Sequence, residues 1–216
     1  PVSRQARLWL ALNALVVIVA LAIQIPITAA DTTGVFATPA SRVANLFTFF
    51  TIMSNLLVAG VCIALVARPA LRSTALAVLW LDALLGITVT GIVYNTVLIG
   101  LYDLHGGALV ADRMFHQVSP VMFVIGWLLL GPRGLVSLRT VLLSLIYPLA
   151  WLAFTLVRGA IITWYPYPFL EVTDLGYGRV ALNSLVITLI FLALAAGIHG
   201  LDRVLGRSSR ALPQLH

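Results

Sequence analysis

Long apolar runs separated by short polar clusters make up most of this chain. A helix needs about 20 apolar residues to cross a hydrocarbon core. Six stretches meet or nearly meet that length: residues 8–29, 45–67, 74–100, 114–131, 140–157 and 180–201. The first, second and sixth carry no charge, and the third carries only Asp82. The fourth and fifth are short for a crossing and are expected to extend or tilt. This pattern predicts an all-α polytopic membrane protein. It is expected to be one transmembrane domain over residues 1–216, a bundle of six transmembrane helices with both termini cytoplasmic.

Composition leads to the same class. Hydrophobic residues make up 61% and charged residues 9% of the chain, whereas soluble domains are about a quarter charged. Such a chain has too few polar groups to cover a water-facing surface and must use lipid as solvent. All thirteen basic residues are Arg. Without Lys, no Schiff base to retinal or pyridoxal can form. Cys62 is the sole cysteine, which excludes an intrachain disulfide or a cysteine metal cluster.

Charge placement orients the spans. Alternate ends collect Arg4, Arg7, Arg68, Arg72, Arg133, Arg139, Arg203, Arg207 and Arg210 against the single acid Asp202. The opposite ends hold Arg42, Arg113, Arg158 and Arg179 with Asp31, Asp103, Asp112, Glu171 and Asp174. By the positive-inside rule the Arg-rich ends face the cytoplasm. The net charge of +6 therefore reflects topology, and nucleic acid is not an expected partner. Thr28-Ala29-Ala30 before Asp31 resembles a cleavage site, but the apolar run before it exceeds a usual signal core, so the first helix is expected to be retained.

Polar groups inside lipid are expensive, so their positions are informative. Thr48, Thr51 and Asn55 fall on one face of the second helix, with Ser54 beside them. Thr88, Gly91 and Asn95 share a face of the third, with Tyr94 adjacent. His116 and Pro120 open the fourth, Arg158 closes the fifth, and Arg179, Asn183 and Ser184 open the sixth. All belong to the outer leaflet. Asp82 is the main polar group of the inner half and is expected to pair with a cytoplasmic Arg such as Arg72. The segment Trp164-Tyr165-Pro166-Tyr167-Pro168-Phe169-Leu170-Glu171 reads as an aromatic interfacial loop or a re-entrant lid. No hydrolase elbow, zinc-protease motif or nucleotide loop is present, and four scattered histidines suggest no metal cluster. A hydroxyl nucleophile with a distant His remains open.

Phe47-Thr48-Phe49-Phe50-Thr51-Ile52-Met53-Ser54-Asn55-Leu56-Leu57 resembles the signature of a family of bacterial six-pass membrane proteins. His116-x-x-x-Pro120 with Trp127, Tyr147-Pro148, Tyr165-Pro166-Tyr167-Pro168-Phe169-Leu170, Gly176-Tyr177 and Asn183 resemble its later motifs. The likeness spans roughly residues 8–205. Gly126 stands where that pattern often has Asp. The family is similar, more distantly, to the androgen-induced and androgen-dependent TFPI-regulating proteins, six-pass hydrolases of fatty acid esters of hydroxy fatty acids. The resemblance implies a Thr nucleophile at Thr51 and a His base at His116.

The resulting expectation is a lipid-ester hydrolase of the cell membrane, with no cofactor, no metal and no obligate protein partner. Thr51 and His116 are its catalytic candidates. Asn55, Asn95 and Asn183 are candidate oxyanion donors, and Arg158 is a candidate for a substrate carboxylate. A carrier of a small lipid or amphiphile that uses Asp82, and a non-catalytic lipid-binding scaffold, are the rival expectations.

Overall fold

The computed structural model describes the backbone over residues 2–211 and the side chains as far as residue 206. Its long elements are seven helices: α1 Arg4–Ala30, α2 Pro39–Leu46, α3 Phe50–Ala67, α4 Thr74–Leu98, α5 Gly106–Leu130, α6 Leu138–Ile162 and α7 Val172–Ala211. All but α2 are long and apolar enough to cross a membrane. The protein is thus an all-α, six-span membrane protein. Arg207 and Arg210, counted above among the cytoplasmic charges, lie outside the described side chains.

Local chemistry sets the helix ends. The Ser3 hydroxyl accepts the Ala6 N–H at 3.2 Å and starts α1. A reciprocal Thr38–Ser41 capping box, followed by Pro39, starts α2. Two helices contain a five-residue π turn, Tyr94–Leu98 in α4 and Met114–Val118 in α5. The α6 helix breaks at Leu145, because Pro148 has no N–H to offer the Ser144 carbonyl.

The chain packs as two compact units. Unit 1 comprises the residues up to Arg72 together with Asp82–Gly131; unit 2 comprises Ser73–Leu81 and the residues from Pro132 onward.

Within unit 1, α3 and α5 both run antiparallel to α1. At one end Val2 N–H donates to Pro69 O at 3.0 Å, and Arg7 Nη2 donates to Val66 O at 3.0 Å. At the other end Arg42 reaches from α2 onto the last turn of α1. Its Nε and Nη2 donate to Ala29 O at 3.1 and 2.7 Å, and its Nη1 donates to Phe36 O and Ala37 O. Both guanidinium groups sit where helix carbonyls lack partners and the dipole is negative. Trp9 Nε1 donates to Met122 O at 2.9 Å and pins α1 to α5. That contact requires Gly126, since a Cβ there would lie 2.3 Å from Trp9 Nε1.

Within unit 2, the buried Asp202 carboxylate accepts the Gly134 N–H at 3.0 Å and the Val136 N–H at 3.2 Å. It thereby ties the turn before α6 to α7. The aromatic segment before α7 packs inward. Tyr165 lies against α6 at Gly159, where a Cβ would come within 2.0 Å of its ring. Tyr167 and Phe169 stack with centroids 5.2 Å apart, and Leu170 is buried.

Several boundaries differ from the sequence expectation. The expected second helix is two helices joined by a turn at 47–49, so Thr48 leaves the face it was assigned and donates to Asn45 O at 2.7 Å. The fourth begins at Gly106, not residue 114, and takes in Asp112 and Arg113. The fifth runs on to Ile162, and a short helical segment from Val172 precedes the sixth; Gly176, at φ 72° and ψ 160°, breaks it, so the continuous span starts beyond Gly176, near the expected residue 180. Hydropathy ends a helix where charges begin, whereas Asp112 has partners on α4 and α5, Tyr94 and His116, that hold its turn in the helix. Asp82 is buried, its Oδ1 has no hydrogen-bond partner, and Arg72 donates instead to Leu71 O. The expected Asp82–Arg72 pair is not formed.

Two outcomes follow. Adding a methyl at the α1–α5 crossing, Gly126→Ala, should cost about 1–3 kcal/mol through overpacking and lower the thermal midpoint in detergent. If the Arg-rich ends are cytoplasmic, Tyr102→Cys should react with an impermeant maleimide on intact cells, and Ala70→Cys only after permeabilisation. Buried Cys62 gives little background.

Candidate active site

Thr51 and His116 come together within unit 1. Thr51 occupies the first turn of α3, and His116 lies inside the π turn of α5. Thr51 Oγ1 and His116 Nε2 are 3.3 Å apart. Their chain neighbours anchor them. Ile52 and Phe115 belong to one buried cluster with Ala20, Leu46 and Ala111, flanked by Phe49 and Met114. Packing these apolar neighbours from α1, α2, α3 and α5 holds the hydroxyl and the imidazole in register.

Proline chemistry shapes the wall behind them. Pro120 offers no N–H to the carbonyls that precede it, and the Ser119 N–H goes to Met114 O. The carbonyls of Phe115 and His116 are left needing donors, and lipid supplies none. Asn55 Nδ2 donates to Phe115 O at 3.2 Å and to Thr51 O at 2.9 Å. Asn95 Nδ2 donates to Gly91 O at 2.7 Å and, at a long 3.5 Å, to His116 O. Gln117 Nε2 donates in turn to Asn95 Oδ1 at 2.9 Å. An amide has two N–H donors, and both are engaged in Asn55 and in Asn95. Both amides, expected as oxyanion donors, here cap backbone carbonyls.

Arg158 and Asn183 belong to unit 2. The Arg158 guanidinium lies 5.4 Å from the centroid of the Trp164 ring, a cation–π distance. Asn183 Nδ2 donates to Phe169 O at 2.9 Å, which fixes the turn before α7.

Sequence reasoning passed over Asp112. Its Oδ1 is 3.0 Å from His116 Nδ1, and the two side chains are only 11% and 16% exposed. Tyr94 donates its hydroxyl to the other carboxylate oxygen, and its ring stacks on the imidazole at 4.0 Å between centroids and 13° between planes. The Asp-x-x-x-His spacing of a helical pair was present in the chain, but Asp112 reads as a loop residue there. Among the described residues no group of His, Cys, Asp and Glu could hold a metal ion.

Fold and site together define a six-span helical membrane protein in which a threonine hydroxyl, an imidazole and a carboxylate meet. No protein family, curated protein or solved structure matches the chain.

If Asn55 serves the proline-freed carbonyl, Asn55→Ala leaves Phe115 O buried and unpaired. A loss of about 1–3 kcal/mol is expected, read as earlier thermal unfolding in detergent.

Proposed function

We propose that this protein is a lipid-ester hydrolase of the membrane, with Thr51 as nucleophile and His116 as general base. The observation that carries the reading is the 3.3 Å approach of Thr51 Oγ1 to His116 Nε2 from two different spans. A hydroxyl within hydrogen-bond reach of an imidazole that a third group orients is the usual arrangement of an activated nucleophile. The apolar surroundings favour a substrate with fatty-acyl character.

In the proposed reaction Thr51 Oγ1 attacks the ester carbonyl carbon, and its proton passes to His116 Nε2. The carbonyl oxygen takes the negative charge. Thr51 sits in the first turn of α3, where the helix dipole is positive and favours that charge. Collapse breaks the ester C–O bond, and the alcohol leaves with the proton from His116. Water, deprotonated by His116, then cleaves the acyl-threonine and releases the acid. The net change is ester plus water to acid plus alcohol.

The carrier reading draws on Asp82, whose buried Oδ1 is unpartnered. It gives the Thr51–His116 contact no role, so the hydrolase is preferred.

Thr51→Ala and His116→Ala should each abolish labelling by a fluorophosphonate probe, with helical content and elution volume unchanged. Labelling that persists undiminished in both variants would refute the assignment.

A further inference from the structure

We propose that Asp112 and Tyr94 are positioning residues that hold His116 in the tautomer a base requires, extending the pair into a chain Tyr94–Asp112–His116–Thr51. The catalytic meaning of this rests on the hydrolase reading, while the tautomer itself does not.

His116 Nδ1 lies 2.9 Å from the backbone carbonyl of Asp112 and 3.0 Å from its Oδ1. A carbonyl oxygen only accepts, so the ring hydrogen sits on Nδ1 and is shared between the two. In the neutral ring Nε2 is then bare, and this is the nitrogen that faces Thr51 Oγ1. The opposite tautomer would put two acceptors against a bare Nδ1 and leave Nε2 without basicity toward the hydroxyl.

Tyr94 completes the arrangement from α4. Its O–H takes the remaining carboxylate oxygen, so Asp112 is held between a phenol on one span and an imidazole on its own. Its ring covers one face of the imidazole almost in parallel. When Nε2 accepts the Thr51 proton, the ring becomes a cation lying on a π face and beside a carboxylate. Both contacts stabilise that charge, and the shielded surroundings strengthen them. The neighbouring cation, Arg113, donates to Gln117 Oε1 at 2.9 Å.

The test uses the full chain in detergent with ¹⁵N-labelled histidine, with His116 assigned by its loss in His116→Gln. The wild type is expected to show a protonated Nδ1 and a bare Nε2. Asp112→Ala removes one of the two Nδ1 acceptors and leaves the backbone carbonyl, so it should shift the ring only part of the way toward a tautomer mixture. It should also lower the maximal rate constant of fluorophosphonate labelling by roughly 10²-fold or more, the scale of general-base catalysis, with the half-saturating probe concentration unchanged. Tyr94→Phe keeps the stacked ring and removes the hydroxyl, so it should fold normally. It should lower the same rate constant less than Asp112→Ala does, and Tyr94→Leu should lower it further. A wild-type His116 protonated on Nε2 overturns the proposal. So do unchanged rate constants in both Asp112→Ala and Tyr94→Phe. Labelling that survives Thr51→Ala refutes the hydrolase instead, and the nitrogen shifts still decide the tautomer.

Discussion

Hydrocarbon offers no hydrogen bonds, so any carbonyl released from a transmembrane helix must find a donor inside the protein. Pro120 creates that situation in the middle of α5. Asn55 on α3 and Asn95 on α4 supply the donors for Phe115 O and His116 O. Each of these bonds joins two helices, and both reach α5 beside His116. The local defect that a proline makes is thereby turned into a junction of three spans. Around this junction the apolar cluster of Ile52 and Phe115 closes, and the polar groups that cannot face lipid collect on its other side.

The chemistry inherits its geometry from that junction. Thr51 and Asn55 are one helical turn apart, and Asn55 donates to Thr51 O as well as to Phe115 O. The residue that caps α5 is therefore the one that sets the start of α3 against it. His116 is held in the same way, by the preceding turn of its own helix through Asp112 and by Tyr94 from α4. Thr51, Asn55, Tyr94, Asp112 and His116 each find a polar partner within unit 1, which makes a shared polar site compatible with surroundings of apolar side chains.

How much of this was legible in the chain varies residue by residue. The spans were readable, because 20-residue apolar runs have few alternatives to a membrane helix. Thr51 and His116 were readable as candidates, through polar residues at similar depth and through a resemblance. Asp112 was not, because hydropathy places an Asp–Arg pair in a loop while the structure keeps both within α5. The carbonyl partners of the asparagines were not legible either, because an amide in a span looks free until those partners are seen. The π turns compounded this. Each inserts a residue and rotates the following side chains by about 100° relative to a straight helix, so faces read from simple 3.6-residue spacing drift at Tyr94 and His116.

The amino-acid sequence alone determined the solvent this protein folds in, the number of its spans and the residues whose burial in lipid demands an explanation. Those follow from composition and local periodicity, which do not depend on neighbours. The tertiary structure alone decided which hydroxyl meets which nitrogen, which amides serve backbone carbonyls, and that a carboxylate and a phenol stand behind the imidazole. Those are contacts between residues up to 65 positions apart, as Thr51 and His116 are. Proline-freed carbonyls and π turns set such contacts, and their effect on direction exists only once helices are packed.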